Sequence, residues 1–241
     1  MPHSTHRPRH VALRPPCVDR LSRRYTKRRL RAPRKCGRVI VVEGSIGVGK
    51  STFCRSLCRY LRRRGHRVRR YPEYVNSPLL QQFLSNKRKY AYAFQLFMLN
   101  KRIEYYNDAR RFVRGTRSDR RPPVAIMDRS LLGDKTFAQM HRAAGNISKS
   151  EWHCYRHIAR TEARLKVAKL VYLHAEPEVC LERIRKRGRD GESSYTVDYL
   201  RDLESNYRRA LKSVEHVELN WNPDLRESQI QTVVEKLEIE V

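Results

Sequence analysis

Residues 44–51 read Gly-Ser-Ile-Gly-Val-Gly-Lys-Ser, the spacing G-x-x-x-x-G-K-S. The apolar run Arg38–Gly44 precedes it. Behind it Phe53, Leu57 and Leu61 recur at helical spacing. A strand, a glycine-rich turn and a helix in that order form a phosphate-binding loop, because backbone N–H groups turn inward at the positive end of the helix. Gly44, Ser45, Ile46, Gly47, Val48, Gly49, Lys50, Ser51 and Thr52 are therefore expected to cradle a nucleoside triphosphate. Lys50 would reach the terminal phosphates and the Ser51 hydroxyl would serve Mg²⁺. The competing reading is a glycine-rich turn without a ligand.

A phosphate loop of this kind sits at the end of a parallel strand, so the remaining strands should repeat the same logic. Apolar runs at 123–128 and 168–175 do so clearly. Those at 66–73 and 216–221 do so weakly. Long helical stretches separate them, which predicts an α/β fold with a parallel sheet. The domain is expected over 37–241.

Residues 1–36 are read apart from it. The first 38 residues carry thirteen Lys/Arg against the single acid Asp19, in a chain of formal net charge +28. With five prolines and few large apolar residues, they read as a disordered basic arm. An organellar transit peptide, a nuclear-import or nucleic-acid patch, and a plain solvated tail all stay open for it. Six cysteines without CxxC or zinc spacing fit free thiols in a reducing, intracellular setting. No apolar run reaches the roughly 20 residues of a membrane span.

Asp128 closes the apolar run at 123–128, at the sheet edge where the phosphate loop opens, and could bind the metal. The bland alternative is that it caps the next helix. Arg129 beside it could stabilise transferring charge. Glu73, in Tyr71-Pro72-Glu73-Tyr74, ends another expected strand and could take the proton of an attacking hydroxyl. Gln95, Met98 and Arg102 share one face of a helix over 90–106 and could frame a planar polar ligand. Arg183, Arg185, Lys186, Arg187 and Arg189, bracketed by Gly188 and Gly191, suit a lid over the triphosphate. The bland readings are a surface carboxylate, a partly solvated helix and a solvated basic face.

Taken together these blocks resemble the deoxyribonucleoside kinase family. The likeness rests on the 43–52 segment, Pro72-Glu73, Phe94-Gln95 with Arg102, Asp128-Arg129-Ser130, and 180–189 followed by Glu192 and Asp198-Tyr199-Leu200. It implies a P-loop kinase fold with a five-stranded parallel sheet, an Arg-rich lid, and ATP- and Mg²⁺-dependent phosphorylation of a deoxyribonucleoside 5′-hydroxyl in nucleotide salvage. By this likeness Glu73 is the base, oriented by Arg129, and Ser51 and Asp128 serve Mg²⁺. Gln95 reads the nucleobase, and Phe94, Met98 and Phe137 line its pocket. Arg183, Arg187 and Arg189 close on the triphosphate, Glu192 meets the sugar 3′-hydroxyl, and Asp224 lies in the segment that contacts the donor adenine.

The paired Arg102 and Asp134 tilt the base toward deoxycytidine or purines, whereas Met98 narrows the pocket and leaves thymidine open. Leu84 stands where the family usually has a tyrosine. A homodimer through the helix around 147–165 is implied as well, and a viral or organellar origin stays open. Two rivals remain. One is a thymidylate-kinase-like enzyme acting on a monophosphate, kept open by Arg69 and Arg70. The other is a nucleic-acid-binding P-loop NTPase that uses the basic charge.

Overall fold

The computed structural model describes residues 37–74, 78–114, 119–162 and 168–239; the expected basic arm, with Cys17 and Cys36, lies outside them. Five strands form one sheet: β1 (Arg38–Gly44), β2 (Val68–Tyr71), β3 (Val124–Asp128), β4 (Ala168–His174) and β5 (His216–Asn220). Every neighbouring pair is parallel, in the order β2-β3-β1-β4-β5. Parallel neighbours need crossovers, and helices supply them. These are α1 (Lys50–Arg63), α2 (Pro78–Ser85), α3 (Lys87–Val113), α4 (Leu131–Ala143), α5 (Lys149–Glu162), α6 (Pro177–Arg187), α7 (Val197–Leu211) and α8 (Arg226–Lys236).

The continuous apolar run of β1 is explained by its central position. Ile40 and Val42 pack with Phe53 and Leu57 of α1 and Val233 and Val234 of α8. Val39 and Val41 face the other way, against Tyr106, Ala109 and Val113 of α3. A strand covered on both faces has no polar side to show. The edge strand β2 is shorter than the 66–73 expected: Val68 and Tyr71 are buried, while Arg69 between them is exposed and Arg70 half-buried. The helix expected over 90–106 is the middle of the longer α3, which is opened by an Asn86 side chain that accepts from Lys89 N.

Register delivers the site. Val42 of β1 pairs with Asp128 of β3, and Tyr71 of β2 pairs with Met127. The carboxyl ends of three adjacent strands therefore release the phosphate loop, Asp128-Arg129 and Pro72-Glu73 at one edge, the edge where open α/β sheets bind ligands. Among the described residues no helix is long and apolar enough to cross a membrane.

Candidate active site

Gly49 caps α1 in a left-handed conformation, φ 105°, that a larger residue would adopt only under strain. A side chain there would also meet the Trp221 ring at 2.8 Å. Lys50 is buried, and its Nζ donates to the Ser45 carbonyl at 2.7 Å. Burial, aided by the nearby Arg129 charge, lowers its pKa to about 8. The Ser51 Oγ donates to Asp128 Oδ2 at 2.7 Å, while Asp128 Oδ1 is buried without a hydrogen-bond partner. A buried carboxylate oxygen left unpaired beside a serine hydroxyl is a donor set that suits a hard divalent cation. The capping role is filled instead by Ser130, whose Oγ accepts from Leu132 N.

Arg129 is the hub. Its φ of 73° is unusual for a residue with a side chain, and its N donates to Val42 O. Nε donates to Glu73 Oε1 at 2.7 Å. Nη1 donates to Gly44 O at 2.9 Å and to the Tyr207 hydroxyl at 2.6 Å. The guanidinium also lies 4.9 Å from the Phe137 ring centre. Glu73 has a second cation close by, Arg102 Nη2 at 3.6 Å. Burial raises the Glu73 pKa, but Arg129, Lys50 and Arg102 outweigh it and bring the carboxyl down to about 2.

Farther in, Arg102 Nε meets Asp134 Oδ1 at 3.1 Å, and the Tyr155 hydroxyl donates to Asp134 Oδ2 at 2.6 Å. Burial pushes the Asp134 carboxyl up against the pull of both partners. Gln95 and Met98 of α3 are buried beside this pair. Phe94 stacks on Phe83 at 4.5 Å, and His141 meets the Phe83 ring edge-on at 5.1 Å. These residues, Phe137 and the phosphate loop line one cavity of about 1270 Å³. That exceeds the roughly 300–1,000 Å³ of a single small-molecule site and leaves room for two ligands end to end.

The basic cluster closes the rim. Arg183 donates to Val48 O at 3.1 Å, tying α6 to the phosphate loop. Arg187 grips Glu192 through Nη2 at 2.7 Å and Nε at 3.1 Å, with Arg189 at 3.9 Å. Leu84 sits so close to Gly191 that a Cβ there would lie 2.5 Å from it. Tyr195 and Tyr199 stack at 5.2 Å on the same rim. Arg187, Arg189 and Asp224 are all exposed; the two arginines line the cavity, whereas at the Asp224 turn its neighbour Pro223 does.

A family model described as deoxynucleoside kinase matches residues 40–239 of the chain. The chain belongs to the deoxynucleoside kinase family. This deoxynucleoside kinase is 31% identical to the thymidine kinase of Ictalurid herpesvirus 1, over 83% of its own length and 86% of that protein's. It is 24% identical to the deoxyadenosine kinase of Dictyostelium discoideum, over 82% and 78%. A solved deoxyadenosine kinase from M. mycoides shares its fold, with a TM-score of 0.67 at 24% identity over 83% and 98% of the two chains.

Several residues of the kinase's site escape sequence reasoning, His141 on the cavity wall among them. Tyr155 and Tyr207 come from helices far along the chain, and nothing in their local sequence marks them. Glu43 does carry a signal: it is a charge inside an apolar central strand, and such a charge must be paired if it is buried.

Proposed function

We propose that this kinase transfers the terminal phosphoryl group of ATP to the 5′-hydroxyl of a deoxyribonucleoside. The observation that carries the reading is Glu73, ion-paired to Arg129 between the phosphate loop and an aromatic pocket. A hydroxyl placed there would bond to phosphorus as the bridging oxygen leaves with ADP, and its proton would pass to Glu73. Arg129, Lys50 and Arg102 hold the Glu73 carboxyl well below the usual range, so it is ionised at neutral pH and can accept the hydroxyl's hydrogen bond. That suits phosphoryl transfer, in which the nucleophile's proton departs late and positioning dominates. Lys50 and Arg129 face the charge that develops on the phosphoryl oxygens. Ser51 and Asp128 would hold Mg²⁺, which neutralises triphosphate charge when bound.

Gln95 presents an amide to the base edge, between the apolar surfaces of Phe94, Met98 and Phe137. Arg183, Arg187 and Arg189 serve the triphosphate, Glu192 the sugar 3′-hydroxyl, and the Asp224 turn the donor adenine. The Arg102–Asp134 pair favours deoxycytidine or a purine deoxynucleoside, while the thymidine kinase relative keeps thymidine in the panel. We expect a homodimer through α5, and nucleic-acid contact through residues 1–36 only as a secondary property.

Arg70 also lines the cavity, which favours as a second reading a monophosphate acceptor. Turnover with ATP and Mg²⁺ against deoxycytidine, deoxyadenosine, deoxyguanosine, thymidine and thymidine monophosphate decides between them. Nucleoside phosphorylation is expected, and activity on the monophosphate alone would replace this reading with the second.

A further inference from the structure

We infer that Tyr207 and Glu43 form a buried clamp that holds the Arg129 guanidinium against Glu73, which makes both positioning residues for phosphoryl transfer. The inference rests on the role given to Arg129 above.

The Tyr207 hydroxyl is used twice. It accepts from Arg129 Nη1 at 2.6 Å and donates to Glu43 Oε2 at 3.0 Å. Tyr207 and Glu43 are both fully buried. The second Glu43 oxygen accepts from Ser130 N at 2.6 Å, Ser130 Oγ at 2.7 Å and Gly133 N at 3.1 Å. One carboxylate therefore grips the backbone just after Arg129 and, through Tyr207, the end of its side chain.

That double grip explains how Arg129 keeps a left-handed backbone. Such a conformation is strained for a residue with a side chain and persists only where the surroundings over-determine it. Gly133 is part of the arrangement: a Cβ there would lie 2.4 Å from Glu43 Oε2 and 2.7 Å from the Tyr207 oxygen. A buried carboxylate is a poor device for stability alone, since well-packed apolar groups do as well or better. Here its hydrogen bonds all converge on one functional arginine and the segment that carries it.

The hydroxyl can be removed without disturbing the ring. Tyr207 packs against Tyr172 at 5.7 Å and edge-on to Phe137 at 6.3 Å, and phenylalanine keeps both contacts. An arginine that acts on transition-state charge should affect kcat more than KM when it is loosened.

The test is steady-state kinetics of the full chain with ATP, Mg²⁺ and the best deoxynucleoside, for Tyr207→Phe, Glu43→Gln and Arg129→Lys, each with a thermal melt. For Tyr207→Phe we expect kcat to fall about tenfold to a hundredfold, the range for a lost hydrogen bond to a charged group. KM for both substrates should stay within about twofold and the melting temperature nearly unchanged. Glu43→Gln should move kcat in the same direction. The clamp is overturned if Tyr207→Phe and Glu43→Gln keep kcat within twofold while Arg129→Lys collapses it. It is equally overturned if they raise KM and leave kcat alone. Full activity of Arg129→Lys would instead remove the role of Arg129, and this inference with it.

Discussion

Arg129 Nε stands 2.7 Å from Glu73 Oε1, and the two residues leave different strands, β3 and β2, at the same edge of the sheet. The pair joins the phosphate loop to the aromatic pocket. Glu73→Gln keeps the shape and removes the charge and the proton acceptor. We expect kcat to drop by about 10²–10⁴, the usual worth of a positioned acid or base. Binding of ATP, followed by titration calorimetry, should change far less than kcat, since the Glu73 hydrogen bond runs to Arg129 and it reaches Lys50 of the loop by charge alone. Turnover near the wild-type rate would remove Glu73 from the chemistry.

Arg102 and Asp134 are both buried, at 7% and 1% exposure, so neither charge can turn to water when the other is lost. Arg102→Leu should destabilise the fold by about 3–5 kcal/mol, the cost of stranding a buried charge. Adding Asp134→Ala should recover part of that loss, and the double variant should rank thymidine higher among the nucleosides. Urea unfolding of the two singles and the double measures the coupling; additive losses would mean the charges do not depend on each other.

Trp221 is one of two tryptophans in the chain, and it packs edge-on to Phe53 at 5.1 Å and against Gly49. Its Nε1 is buried without a hydrogen-bond partner. Fluorescence of a Trp152→Phe variant should therefore shift in wavelength or intensity when ATP fills the loop. An unchanged spectrum at saturating ATP would show that the loop and the ring move independently.

His141 gives stability a pH dependence. Burial, with Lys87 nearby, lowers its pKa from 6.5 to about 4. The unfolded chain then binds a proton between those values that the folded chain refuses. The His141 contribution is complete above pH 6.5 and declines as pH falls toward 4. At its full extent it is on the order of 3 kcal/mol. Urea unfolding at pH 8 and pH 5 should show a smaller difference for His141→Leu than for the wild type. Equal differences would place the pH dependence in other groups.

Much of this was legible in the chain because central elements leave strong traces. β1, β3 and β4 are covered on both faces, so their apolar runs stand out, and the phosphate loop has a spacing that few other structures need. Edge strand β2 and the half-exposed β5 write weaker patterns for the same reason in reverse. Glu73, Arg129 and Asp128 could be proposed because Asp128 ends a strand and the other two come just after one. Tyr155, Tyr207 and His141 could not, since a residue's place on a helix says which face it shares and not which distant side chain that face will meet. The left-handed backbone of Arg129 was equally invisible: asparagine or glycine announces such a conformation, and arginine does not.

The Arg187–Glu192 pair described at the rim has a consequence for the order of events. On the proposed function each partner would serve a different ligand, the guanidinium the triphosphate and the carboxylate the sugar. The first ligand to arrive must part them, and the second finds its partner already released. Donor and acceptor should therefore bind synergistically, each tightening the other by the same factor, as reciprocity of coupling free energy requires. The rim would thus act as a coincidence detector, closing readily only when both halves of the reaction are present.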